Sequence, residues 1–182
     1  MELKEYQKQA VARLIEKSRS LLEKPGHHFC VFKAPTGSGK TIMIAEYLKQ
    51  ITEESLGSFS YIWLSGYDLH TQSRKKLEAY LSDSLYTFSF LEEVQTSRLD
   101  ENEVLFVNWH SLTKKDATTG EYSNVYMRDN EYERNLRTFV NNTRQEGRQI
   151  ILIIDESHYH YWSEASQDLV QNVIAPKLTV EV

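Results

Sequence analysis

Residues 29–45 read FCVFKAPTGSGKTIMIA, which places a glycine-rich turn between two apolar stretches. Gly37 and Gly39 can take positive φ, so backbone N–H groups in this turn can converge on a single anion. A helix that starts directly after the turn adds the positive end of its dipole. The order of strand, glycine-rich loop and helix therefore predicts a phosphate-binding loop within an α/β fold.

Side chains in this loop suit a nucleoside triphosphate. Lys40 supplies a mobile positive charge for the β- and γ-phosphates, and the hydroxyl of Thr41 is a magnesium ligand. The usual pattern begins with glycine, whereas this chain has Ala34, which is tolerable if that residue keeps a negative φ. An ordinary turn before an ordinary helix is the alternative interpretation. The residues predicted to bind the nucleotide here are Pro35, Thr36, Gly37, Ser38, Gly39, Lys40 and Thr41.

A second motif lies in residues 150–158, IILIIDESH. The first five are apolar on both faces, as in a central strand of a parallel sheet, and ligands bind beyond the carboxyl end of such strands. Asp155 is therefore predicted to hold the magnesium that Thr41 touches, and Glu156 to orient or deprotonate the attacking water. His158 is predicted to sense the γ-phosphate region. Taken singly, Asp155 could instead cap a helix and Glu156 could lie in solvent.

The two motifs together resemble the first RecA-like motor domain of a superfamily 2 helicase or translocase of the DExH kind. Residues 3–7, LKEYQ, resemble the adenine-recognising segment that opens restriction-enzyme motor subunits. The Asp155 motif followed by residues 175–182, APKLTVEV, is similar to the Res subunit of type III restriction enzymes and related DEAD/DEAH-box proteins. In that family the last strand runs into a Ser-Ala-Thr-Pro motif, and this chain stops before it.

This resemblance implies that residues 1–182 form a single helicase ATP-binding domain, a RecA-like P-loop NTPase domain with a mainly parallel sheet and helices on both faces. It implies ATP and Mg²⁺ as cofactors and recognition of adenine by Gln7. We expect the second RecA-like domain and any nuclease domain to lie outside this chain. The implied partners are nucleic acid, expected to be double-stranded DNA, and a modification (methyltransferase) subunit.

Composition limits the remaining function classes. With 182 residues, of which 40% are hydrophobic, the chain can bury one sizeable core. Its single cysteine, Cys30, lies in a predicted core strand, so a reducing cytoplasm is the expected setting. No apolar run approaches a membrane span, so no membrane partner is expected. The formal net charge of -5 argues against general polyanion binding, because such affinity comes from clustered Lys and Arg.

Hydrophobic periodicity and turn residues predict alternating helices and strands, as a parallel α/β sheet requires. A polar stretch at residues 113–130 is predicted to be a long surface loop. The predicted helices span residues 5–23, 40–52, 69–81, 133–146 and 163–173, and the predicted strands span residues 29–33, 60–64, 103–108, 149–154 and 178–182.

Two further segments follow predicted strands and are candidates for nucleic-acid contact. Ser65 and Gly66 stand where the family contacts the nucleic-acid backbone, and a small hydroxyl, a glycine and a helix start suit phosphate binding. A capped, solvated helix start is an equal alternative. Asn108 and Trp109 follow the next strand. Trp109 could stack on a base, although an aromatic residue after a core strand is more often packing.

Two classes of function remain open at this stage. The first is ATP hydrolysis coupled to translocation on DNA, with this chain as the motor lobe. The second is a nucleotide-gated interaction domain without processive movement, and an RNA-directed DExH helicase is a further alternative. Lys40, Asp155 and Glu156 favour the enzyme, because a pure binding module has no need of a water-activating carboxylate. Without a second lobe to supply arginine fingers, we expect weak hydrolysis.

Overall fold

The structure is a computed structural model that describes residues 2–53, 57–66, 69–91, 93–94, 96–109, 136–155 and 164–182. None of the helices in these ranges is both long enough and apolar enough to span a membrane. The described helices are α1 (Glu5–Leu22), α2 (Lys40–Glu53), α3 (Leu69–Tyr80), α4 (Leu136–Gln145) and α5 (Glu164–Asp168), the last continuing as a π-helical segment, Leu169–Ile174. The described strands are β1 (His28–Val31), β2 (Phe59–Ser65), β3 (Thr87–Phe90), β4 (Glu103–Asn108), β5 (Gln149–Asp155) and β6 (Leu178–Glu181).

The described strands form one sheet in the order β1-β6-β5-β2-β4-β3, and every neighbouring pair is parallel. Strand β5 contains the apolar run of the second motif and pairs with β6 on one side and β2 on the other. Its residues 150–154 are all buried. The prediction of a central strand in a mainly parallel sheet is therefore confirmed.

Helices cover both faces of the sheet, and the period-two alternation of strand side chains divides the core between them. On strand β2, Tyr61 and Trp63 pack in one cluster with α1, α2 and α3. Ile62 and Leu64, on the opposite face, pack with α4 and the π-helical segment. Helices on both faces were predicted, and the two clusters confirm them.

The first strand differs from the sequence prediction. Strand β1 lies at the edge of the sheet, where β6 is its partner. Phe29 and Val31 are therefore 39% and 52% exposed, and Cys30 is half-buried. The expectation that Cys30 lies in a core strand was wrong, because an apolar run does not reveal whether a strand has one neighbour or two.

Three other segments also have to be compared with the predicted secondary structure. Strand β3 was missed, because its four residues, TFSF, are too few to show a clear period. The predicted helix at residues 163–173 is helical where described, but its second half is π-helical. The predicted loop at residues 113–130 lies outside the described residues.

The chain turns from the π-helical segment into β6 through a strained residue. Ala175 has φ 39° and donates its N–H to the carbonyl of Val170 at 2.8 Å. The guanidinium of Arg144, on α4, donates to the carbonyls of Ile174 and Ala175. Desolvation by burial lowers the pKa of Arg144. The bonds from Arg144 thus hold the start of β6 in place beside β5.

We expect Ala175→Gly to stabilise the chain. A left-handed conformation costs an L-residue about 1–2 kcal/mol, and glycine removes that cost. Because glycine loses more backbone entropy on folding than alanine does, part of this gain is cancelled. Urea unfolding should therefore show a free energy of unfolding raised by about 0.5–1 kcal/mol. The control is Ala12→Gly on the exposed side of α1, which should lower it by about 1 kcal/mol. Destabilisation by both variants would contradict the assignment of strain at Ala175.

Candidate functional site

The glycine-rich loop between β1 and α2 has the backbone that the sequence predicts. Gly37 and Gly39 have φ of 79° and 86°, in the left-handed region that glycine tolerates. Among described residues other than glycine, positive φ occurs at Asn102 and Ala175, so Ala34 keeps a negative φ. The methyl group of Ala34 is therefore compatible with the loop.

Loop and helix are continuous at this point. The N–H of Ser38 donates to the carbonyl of Pro35 at 3.1 Å, and the N–H of Met43 donates to the carbonyl of Gly39 at 3.0 Å. Helix α2 begins at Lys40, so the loop lies at its N-terminus. Of the predicted binding residues, Pro35, Thr36 and Gly37 are exposed, and Ser38, Gly39, Lys40 and Thr41 are half-buried.

Two observations test whether a phosphate fits this loop. A Cβ placed on Gly37 would meet nothing within 4 Å, so the space beside this glycine is open. The hydroxyl oxygen of Ser38 is buried without a hydrogen-bond partner among the described residues. A buried hydroxyl without a partner carries a free-energy cost that a bound acceptor would remove. Both features fit an anionic ligand.

The first helix contacts the loop directly. The carbonyl of Ser38 accepts hydrogen bonds from Gln7 Nε2 at 2.8 Å and from the Tyr6 hydroxyl at 3.1 Å. Because a trans peptide holds its C=O and N–H in opposite directions, the N–H of Gly39 then points away from α1. Gln7 Oε1 accepts from the N–H of Lys4 at 2.8 Å, and the side chain is buried. Gln7 therefore fixes the loop as well as its own helix start.

A cavity of about 450 Å³ opens beside the loop. Residues 31–35, Lys40, Glu181 and Val182 line it, so the ends of β1 and β6 form one wall and the start of α2 another. This volume lies within the range of about 300–1,000 Å³ that is typical of small-molecule sites. Lys40 and the loop backbone therefore lie at the carboxyl edge of the sheet.

Asp155 lies on the same edge, at the end of β5, with β6 between it and β1. In register it stands beside Ser65 of β2, which in turn stands beside Asn108 of β4. Asp155 Oδ2 accepts a hydrogen bond from the hydroxyl of Ser73 on α3 at 3.1 Å. The sequence did not predict this bond, because a serine in the first turns of a helix carries no signal of a partner 82 residues away.

Burial distinguishes the candidate nucleic-acid residues. Ser65 is 1% exposed, and its hydroxyl has no partner among the described residues. Gly66 and Asn108 are half-buried. Trp109 is 3% exposed and belongs to the core cluster that includes α4, which favours packing over base stacking.

The described residues thus bring the loop and Asp155 to one edge of the sheet. Two predicted catalytic residues, Glu156 and His158, lie outside the described ranges. Their roles in orienting water and sensing the γ-phosphate stay predictions.

Comparison with known proteins supports the fold and gives a family. The family described as "Type III restriction enzyme, res subunit" matches residues 1–181. One similar solved structure is a nuclease-deletion mutant of the Type ISP restriction-modification enzyme LlaGI in complex with a DNA substrate mimic. Its TM-score is 0.55 at 14% identity, and the match covers 100% of this chain and 17% of that chain.

A second similar structure is the Sulfolobus solfataricus SWI2/SNF2 ATPase core in complex with dsDNA. Its TM-score is 0.55 at 12% identity, with 100% of this chain and 31% of that chain covered. At such identities the likeness concerns the fold, and it confirms the predicted RecA-like helicase-core architecture. No curated protein sequence matches this chain.

We expect Gly39→Ala to destabilise the chain more than Gly147→Ala. Both glycines have positive φ, so alanine carries a backbone cost of about 1–2 kcal/mol at either position. A Cβ at Gly39 would lie 2.8 Å from Gln7 Nε2, whereas one at Gly147 would meet nothing within 4 Å. The displaced Gln7 should cost about 1 kcal/mol more, a typical value for one hydrogen bond. Equal losses in urea unfolding would show that the Gln7 contact contributes nothing to stability.

Proposed function

This chain belongs to the family of type III restriction enzyme res subunits, and on that premise we propose that it is the ATP-binding and hydrolysing motor lobe of a DNA translocase. The observation that carries the proposal is the loop itself. Its left-handed glycines, its position at the N-terminus of α2 and the open space beside Gly37 favour the binding of an anion. Asp155 at the same sheet edge supplies the carboxylate that phosphoryl transfer needs.

The described side chains have distinct roles in this proposal. Lys40, which lines the cavity at the start of α2, neutralises the β- and γ-phosphates. The Ser38 hydroxyl, now without a partner among the described residues, gains a phosphate oxygen as acceptor. Thr41 and Asp155 would hold magnesium, which when bound offsets the phosphate charge.

Gln7 is the proposed adenine contact. A side-chain amide has two N–H donors and two acceptor positions, and the observed bonds to Ser38 and Lys4 use one of each. One donor and one acceptor position are therefore left for the adenine edge. Because the same side chain holds the loop, base recognition and phosphate binding share one residue.

Glu156, directly after Asp155, is the proposed base or water-orienting group, and His158 is the proposed sensor of the γ-phosphate. These roles follow from their positions in the motif at the carboxyl end of β5. They distinguish a hydrolytic motor from a nucleotide-gated interaction domain, which has no need of Glu156.

Double-stranded DNA is the proposed track. Both similar structures are complexes, one with a DNA substrate mimic and one with dsDNA. This chain covers 17% and 31% of those chains, so we propose that a second RecA-like lobe completes the motor. Because this chain has a net charge of -5, its contact with DNA has to be confined to a local patch.

A methyltransferase subunit is the proposed partner of the whole enzyme.

Lys40→Ala should weaken magnesium-ATP binding by about 10- to 100-fold, the loss expected when a charge-assisted hydrogen bond is removed. Calorimetric titration of the chain measures this. Lys49→Ala removes an exposed lysine further along the same helix and should leave the affinity unchanged. Equal affinities for parent and Lys40→Ala would remove Lys40 from the site.

Glu156→Gln should separate binding from chemistry in the enzyme that carries both lobes. The amide keeps the size and hydrogen bonding of the carboxylate but cannot accept a proton. Turnover should fall by roughly 10²–10⁴, with ATP affinity largely retained. Glu101→Gln, before β4 at the opposite sheet edge, is the matched control. Unchanged turnover in Glu156→Gln would favour the interaction domain, and joint loss of binding and turnover would make Glu156 structural.

A further inference from the structure

We infer that Ser73 is a positioning residue that orients the metal-binding carboxylate of Asp155. This inference rests on the proposed function and deepens it, because it adds a residue of α3 to the phosphate and metal site. Its basis is the hydrogen bond from the Ser73 hydroxyl to Asp155 Oδ2 at 3.1 Å.

The bond lies in a protected place. Ser73 is 5% exposed and Asp155 is half-buried, so water competes poorly for the hydroxyl. In such surroundings a hydrogen bond to an ionised group is stronger than one between neutral groups. Holding one carboxylate oxygen restricts rotation of the group about its Cβ–Cγ bond. The orientation that Asp155 presents is then set before the nucleotide binds.

Helix α3, which carries Ser73, is itself fixed against the sheet. Leu77, one turn further on, is fully buried in the core. Arg74 donates to Glu78 at 2.7 Å and to Glu93, and its guanidinium lies 4.4 Å from the centroid of the Phe90 ring. These contacts tie α3 to strand β3 and the segment after it. The hydroxyl of Ser73 therefore lies on a helix that several contacts hold in place.

The neighbouring strand offers no such bond. Ser65 stands beside Asp155 in register and is buried, yet its hydroxyl has no partner among the described residues. Proximity in the sheet thus does not bring a serine onto Asp155, whereas the placement of α3 does. Residues that hydrogen-bond a metal ligand typically change metal affinity by about 10- to 100-fold when mutated.

The test uses Ser73→Ala in the 182-residue chain, with a fluorescent ATP analogue as the probe. Binding is titrated with magnesium and repeated in EDTA. We expect the magnesium concentration for half-maximal binding to rise about tenfold. Binding in EDTA should stay as in the parent. The control is Ser18→Ala, which removes another buried helical hydroxyl, bonded to Tyr47 rather than to an acidic group.

A double-mutant cycle excludes a merely structural effect. If Ser73 acts through Asp155, adding Ser73→Ala to Asp155→Asn should leave the magnesium requirement of the single Asp155→Asn variant unchanged. Equal requirements for Ser73→Ala and the parent would overturn the inference, as would a further rise in the double variant or an equal loss of binding in EDTA. Failure of the proposed function appears separately, as a parent chain whose nucleotide binding ignores magnesium, and it would overturn both.

Discussion

Burial of strand β5 on both faces, between β6 and β2, is the constraint on which this architecture depends. A strand with apolar residues on both faces needs helices on both sides, and parallel neighbours need crossover connections that supply them. All carboxyl ends of the sheet then meet at one edge. The glycine-rich loop and Asp155 lie at the same edge of the sheet for this reason, although more than 110 residues separate them in sequence.

The sequence was sufficient where local chemistry determines conformation. Positive φ at Gly37 and Gly39 follows from residue type, and the central position of β5 follows from its two-sided apolar pattern. The exposure of Phe29 and Val31 did not follow, because edge and centre are properties of the whole sheet. Strand β3 was too short to be detected by its periodicity.

Long-range hydrogen bonds were also beyond the sequence. Gln7 was predicted through a resemblance to contact adenine, but nothing in its sequence neighbourhood indicates that it also binds the carbonyl of Ser38. The bond between Ser73 and Asp155 is equally invisible in the sequence. A serine within a helix and an acidic residue at the end of a strand are both common, and neither indicates the other as its partner. Such pairs are set by how helices dock on the sheet, and helix periodicity predicts only that a side chain faces inward.

The hydrogen bonds from Tyr6 and Gln7 to the carbonyl of Ser38 mean that the first helix stabilises the loop. Local opening of the first turn of α1 has to break two hydrogen bonds to the loop, so the free energies of opening of the two segments are coupled. A ligand that binds only the closed loop stabilises that state by mass action. Amide hydrogen exchange in the first turn of α1 therefore reports occupancy of a site more than 30 residues away in sequence.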